Sequence, residues 1–217
     1  MANRIQPDFP IYLITDRHQT NGRPLVEVVE AALRGGIRAV QLREKDLSTR
    51  ELYELAYKLR KLTARYGARL LINDRIDVAL AVEADGVHLG QNSLPVYKAR
   101  KLLGDDLLIG VSCHNQVSAI TAQEKGADFI TFGPVYFTPS KAQYGKPVGV
   151  DRLAYIANLL RIPVFALGGI KLDNAREVMA ADAAGIALIS AVLTATDPAD
   201  AVHNLLAIVQ PHASQEV

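Results

Sequence analysis

Short apolar stretches of β character alternate with stretches of helical periodicity from one end of this chain to the other. The expected strands are Ile11–Thr15, Ala39–Arg43, Arg69–Asn73, Gly86–Leu89, Leu107–Ser112, Phe129–Gly133, Val164–Gly168 and Ile186–Ser190. Most are continuously apolar, the pattern of strands covered on both faces in a parallel sheet. The helices between them carry end signals. Ser48 with Glu51 forms a capping box ahead of a stripe of Leu52, Leu55, Leu59 and Leu62. Pro95 opens a helix through Ala99 and Leu102, and Asp197-Pro198 pairs an N-cap with a proline at the first helical position. Gly35-Gly36, Gly67, Gly104 and Gly126 each follow a helical stretch, where a left-handed cap favours glycine. Eight β-then-α units imply an α/β protein, a single compact (β/α)8 TIM barrel over residues 1–217 with flexible ends at 1–10 and 210–217. An open doubly wound sheet is the alternative, and no G-x-G-x-x-G follows the first strand to favour it.

Bulk properties narrow the function. An apolar share of 49% supports one full core, and a net charge of +1 argues against a nucleic-acid or membrane surface. The single cysteine, Cys113, excludes an internal disulfide and a cysteine-rich metal site, which fits a reducing cytoplasm. No run approaches the ~20 apolar residues of a membrane span, and Met1 to Pro10 lacks the apolar centre of a secretion signal.

In such a barrel the site forms at the C-terminal ends of the strands, and here those ends gather polar and charged residues. Gln41-Leu42-Arg43-Glu44-Lys45 closes the second strand, with Gln41, Arg43 and Lys45 expected on one face. Cations are retained near a core only where something anionic arrives. Gly168-Gly169 after strand seven and Ser190 after strand eight suit phosphate held by backbone N–H groups, or a tight turn needing positive φ. Asn73 and Asp74 end strand three; Asp74 is either a Mg²⁺ ligand or the cap of the next helix. Ser112 and His114 share a face of strand five, and Cys113 points away as a small buried residue. His114 suits acid/base work or a structural hydrogen bond, whereas His88, inside an apolar strand, reads as structural. The loop from Tyr136 to Val148 offers Thr138, Ser140, Lys141 and Lys146 to a second anion such as diphosphate, or is a plain surface loop.

These residues carry a resemblance. Tyr12-Leu-Ile-Thr-Asp16, Gln41-Leu-Arg-Glu-Lys45, Ile72-Asn-Asp74, Ala84-Asp-Gly-Val-His-Leu-Gly-Gln91, Gly110-Val-Ser112, Gly126-Ala-Asp128, Gly133-Pro-Val135, Thr138-Pro-Ser-Lys141 and Leu167-Gly-Gly-Ile170 occur in order over nearly the whole chain. Together they resemble the thiamine phosphate synthase and thiazole tautomerase superfamily, and the synthase branch more closely. The resemblance implies the same barrel and a transferase. It would join 4-amino-5-hydroxymethyl-2-methylpyrimidine diphosphate to a thiazole phosphate and release diphosphate, with Mg²⁺ as cofactor. It implies that Gln41, Arg43, Lys45 and Asn73 contact the pyrimidine diphosphate and that Asp74 holds Mg²⁺. Ser112 and Lys141 would meet the diphosphate, while Thr138, Ser140, Gly169 and the Ile189-Ser190 backbone would hold the thiazole phosphate. Diphosphate would leave before the thiazole nitrogen attacks, so neutralising cations are required and a protein nucleophile is not. Small molecules are the expected partners, and a homodimer is compatible with the reading.

One departure bears on the metal. Synthases usually place an acid shortly after the His-Leu-Gly-Gln element as a second metal ligand, and this chain has Ser93 there. Serine is a weak Mg²⁺ ligand. The alternatives are a thiazole tautomerase with His114 as acid/base, and a non-catalytic relative that binds thiamine precursors.

Overall fold

A computed structural model describes residues 6–138 and 146–210. The strands are β1 (Ile11–Ile14), β2 (Ala39–Leu42), β3 (Arg69–Asn73), β4 (Gly86–Leu89), β5 (Leu108–Cys113), β6 (Phe129–Phe132), β7 (Val164–Leu167) and β8 (Gly185–Leu188). Each pairs in parallel with the next, and β8 returns to β1, so the sheet closes into the expected eight-stranded barrel. The helices are α1 (Leu25–Arg34), α2 (Thr49–Arg65), α3 (Ile76–Ala81), α4 (Val96–Leu103), α5 (Gln116–Glu124), α6 (Val150–Leu159), α7 (Ala175–Ala180), α8 (Ser190–Leu193) and α9 (Pro198–Val209).

The local signals form as expected. Ser48 and Glu51 close a full capping box at α2, and Asp197 accepts from the N–H groups of Ala199 and Asp200 at α9. Several strands end one residue earlier than their sequence suggests. At β2 the cause is visible: the Arg43 N–H donates to the Thr15 hydroxyl at 2.9 Å, so the ladder passes from backbone to a side chain.

Two apolar layers hold the barrel. The outer one lies between sheet and helices and includes Leu33, Leu59, Leu62, Ile130 and Val178. The inner one fills the barrel with Phe9, Tyr12, Ile14, Leu71, Leu108, Phe129 and Phe165. Phe9 belongs to the end expected to be flexible over residues 1–10, of which 1–5, like 211–217 at the other end, lie outside the described residues. Its ring is buried against Tyr12, Phe129 and Phe165 with centroids 5.2–5.8 Å away, plugging the barrel floor. Such rings need room opposite. A Cβ on Gly110 would lie 2.4 Å from the Phe129 ring and 2.6 Å from His88 Nδ1, so only glycine fits there. No helix among the described residues is long and apolar enough to cross a membrane.

Candidate active site

The C-terminal mouth begins at the end of β2. Beyond Leu42 the chain leaves the sheet, and Glu44 turns inward rather than to solvent. Its carboxylate accepts from the Thr15 hydroxyl at 2.6 Å, from the Arg17 N–H at 3.1 Å and from the Arg17 guanidinium at 3.2 Å. Arg17 also clasps Asp46 through two contacts of 2.5 and 2.6 Å. The acids flanking the expected cation pair are therefore taken by a different arginine. Among the described residues, no carboxylate pairs with half-buried Arg43 or exposed Lys45.

At the ends of β3 and β4, Asp74 meets Ser93. The Ser93 hydroxyl donates to the Asp74 carboxylate and accepts the Gly90 N–H at 2.5 Å. The Asn73 amide donates to the other Asp74 oxygen at 2.8 Å. Asp74 sits in the left-handed region at φ 60°, fixed by its own N–H to the His88 carbonyl at 3.0 Å. It does not cap α3: Arg75 occupies the cap position and makes no side-chain capping bond. Of the two readings of Asp74, the cap is overturned.

Inside the barrel, just below the mouth, runs a buried polar chain. Gln41 Nε2 donates to Tyr12 Oη at 3.1 Å, Tyr12 Oη lies 3.5 Å from His88 Nδ1, and His88 Nε2 lies 2.9 Å from Ser112 Oγ. Thr131 Oγ1 lies 3.4 Å from both His88 Nε2 and Ser112 Oγ. Gln41 is thus a barrel-interior residue, while Arg43 and Lys45, expected on the same face, are progressively more exposed as the chain leaves the strand. Ser112 and His88 are in hydrogen-bond contact, an arrangement that calls for a test of whether the imidazole can act as a base. His88 is nevertheless a poor base. Burial pushes its imidazole down to about 3; the Asp74 charge opposes the shift and the Arg43 charge adds to it.

The remaining expected residues are dispersed. Exposed His114 holds the Gly133 carbonyl with Nδ1 at 2.5 Å, which fixes the proton on that nitrogen. Cys113 is buried in the outer layer, with its thiol pushed up to about 12 by burial. Gly168 and Gly169 adopt φ of 100° and 69°. A Cβ on Gly169 would lie 2.7 Å from Tyr136 Cβ and 2.8 Å from the Phe137 carbonyl, so the positive φ and a close backbone pass both need glycine. Ile189 follows β8, and exposed Ser190 starts the single turn α8. Thr138 is half-buried where the described part of the loop ends, and Ser140 and Lys141 lie outside the described residues.

The family profile of thiamine monophosphate synthase matches residues 11–192. The chain belongs to this family. A putative thiamine-phosphate synthase of Geobacter sulfurreducens is 60% identical over 209 residues, covering 96% of this chain and 98% of that one. The thiamine-phosphate synthase of Clostridium novyi is 48% identical, covering 88% and 93%. The solved structure of the thiamine phosphate pyrophosphorylase from Pyrococcus furiosus superposes with a TM-score of 0.85 at 43% identity, covering 94% of this chain and 96% of that one. Both the family and the (β/α)8 fold read from the sequence are therefore right.

Sequence reading of this family member missed Tyr12, Thr131 and Glu44, and gave His88 only a structural place. A signal existed for three of them: Tyr12, His88 and Thr131 are polar side chains in the bodies of strands that are otherwise mostly apolar. Each needs a buried partner.

Proposed function

We propose that the protein is a thiamine-phosphate synthase, which joins 4-amino-5-hydroxymethyl-2-methylpyrimidine diphosphate to thiazole phosphate and releases diphosphate. The observation that carries this reading is the charge arrangement at β2. Arg43 and Lys45 stand at the mouth without a carboxylate partner among the described residues, while Arg17 occupies Glu44 and Asp46. Cations kept free in this way suit a polyanionic substrate.

The reaction needs charge neutralisation and alignment. The aminopyrimidine ring can stabilise a cation at its exocyclic carbon, so the diphosphate can depart before the thiazole nitrogen attacks. Arg43 and Lys45 neutralise the departing group, Asn73 orients it, and the Ser112 hydroxyl donates to it. Lys141, Thr138 and Ser140 complete the anion contacts in this reading, with Gly169 and the Ile189-Ser190 backbone toward the thiazole phosphate. Cys113 serves no nucleophilic role, because its thiol is buried on the helix side of β5.

Asp74, with Ser93 beside it, would hold Mg²⁺. One carboxylate and a hydroxyl fit an ion that takes one or two carboxylates and fills its shell with substrate phosphate oxygens and water. When bound, it would add positive charge where the diphosphate departs. The reading further places the reaction in the cytoplasm, with the chain working as a homodimer.

The test is a product assay with purified protein, both substrates and Mg²⁺. Thiamine phosphate formed with Mg²⁺ and lost in EDTA is expected. No product beside an active authentic synthase would overturn the reading, and undiminished product in EDTA would overturn its magnesium part.

A further inference from the structure

We propose that Tyr12 and His88 are positioning residues: they form a one-directional hydrogen-bond chain that keeps the Ser112 hydroxyl proton aimed at the mouth, as a donor to the departing diphosphate. The role toward diphosphate rests on the synthase reading; the direction of the chain does not.

The direction follows from counting donors. Gln41 Nε2 is a donor only, so Tyr12 Oη must accept from it at 3.1 Å. The phenol proton then needs an acceptor in a fully buried place, and His88 Nδ1 at 3.5 Å is the one in reach. If Nδ1 carried the imidazole proton instead, it would donate to Tyr12 and leave the buried phenol proton unpaired, which is costly away from water. The satisfied arrangement puts the imidazole proton on Nε2, which donates to Ser112 Oγ at 2.9 Å. Thr131 adds a second donor to the same oxygen at 3.4 Å. With its oxygen accepting from below, Ser112 has its own proton left to give. Ser112 is half-buried, whereas Tyr12, Gln41, His88 and Thr131 are buried, so the open side faces the mouth.

The alternative is a serine nucleophile activated by histidine. That arrangement needs Nε2 unprotonated and facing the hydroxyl proton, with an acceptor such as a carboxylate on Nδ1–H to hold that tautomer. Here Nδ1 faces a phenol whose proton has nowhere else to go. The barrel also makes space for the ring: a Cβ on Gly110, opposite in the sheet, would overlap Nδ1 at 2.6 Å.

The decisive measurement is nitrogen NMR of ¹⁵N-histidine-labelled protein, which reports the His88 tautomer. An Nε2–H tautomer is expected in the wild type, lost to a mixture in Tyr12→Phe; an Nδ1–H tautomer in the wild type would overturn the chain. Tyr12→Phe keeps the ring edge-on to Phe129 at 5.5 Å and so preserves the packing. In the product assay, Tyr12→Phe should lower kcat about tenfold with KM changed less than about twofold, as expected for a donor used mainly in the transition state. Placed on Ser112→Ala, it should add nothing. An equal loss on both backgrounds would show that Tyr12 and His88 do not act through Ser112. Were the wild type to make no thiamine phosphate, the synthase reading would fall, and the tautomer spectrum would decide the chain by itself.

Discussion

The Ser93 hydroxyl is hydrogen-bonded to the Asp74 carboxylate, 19 residues away along the chain. The contact joins the loop after β4 to the end of β3. Asp74 is held there in a left-handed conformation by its N–H to the His88 carbonyl. A side chain at position 93 thus reaches whatever Asp74 binds.

Ser93→Asp places a second carboxylate beside the first. Mg²⁺ affinity rises with the number of charged ligands, so the Mg²⁺ concentration for half-maximal activity should fall by about tenfold, roughly 1.4 kcal/mol. Magnesium titration of the product assay measures this. An unchanged or higher requirement would remove Ser93 from the proposed metal site.

Glu44→Gln keeps the shape but removes the charge that Arg17 and Thr15 bind. The buried oxygens then lose charge-assisted bonds, for a destabilisation of about 1–3 kcal/mol in urea unfolding. Thr15 also accepts from the Arg43 N–H, so the change should reach Arg43 and raise KM for the pyrimidine diphosphate. A variant with wild-type KM would place Glu44 in stability alone.

The barrel was legible because its strands, covered on both faces, read as apolar runs, and because capping chemistry at Ser48 and Asp197 is local. Strand ends were misread where a side chain takes over the ladder, as Thr15 does for Arg43. Arg43 and Asp74 stood out in the sequence as charges, and Asn73 as a polar amide, at the ends of mostly apolar strands. Glu44 could not, since its partners Thr15 and Arg17 lie 29 and 27 residues away and alternation alone assigns it only a face. The Tyr12–His88 contact spans 76 residues and exists only once β1 and β4 face each other across the closed barrel.

Cys113 should be inert in the folded protein. Its thiol, ordinarily near 9.0, is pushed up to about 12 by burial, so the thiolate at pH 8 is scarcer by about a thousandfold. A disulfide reagent at pH 8 should label the native chain barely and the urea-unfolded chain fully; rapid native labelling would contradict the burial. The sign for stability follows. Above pH 9.0 the unfolded chain releases a proton that the folded chain keeps up to about 12. The contribution is complete below the first value and is lost as pH rises toward the second.

Gly110→Ala tests the barrel interior. The added methyl would meet the Phe129 ring at 2.4 Å and His88 Nδ1 at 2.6 Å, both in a packed layer with Phe9 and Tyr12. Overpacking of this kind costs about 1–3 kcal/mol, which urea unfolding at pH 7.5 would register. The methyl also presses on the ring that contacts Ser112, so kcat should fall by more than KM changes. If stability dropped and kcat did not, the Phe129 ring would be absorbing the strain with His88 left in place. If neither changed, the interior would be looser than its contacts indicate, and glycine at this position would not be needed to seat the imidazole.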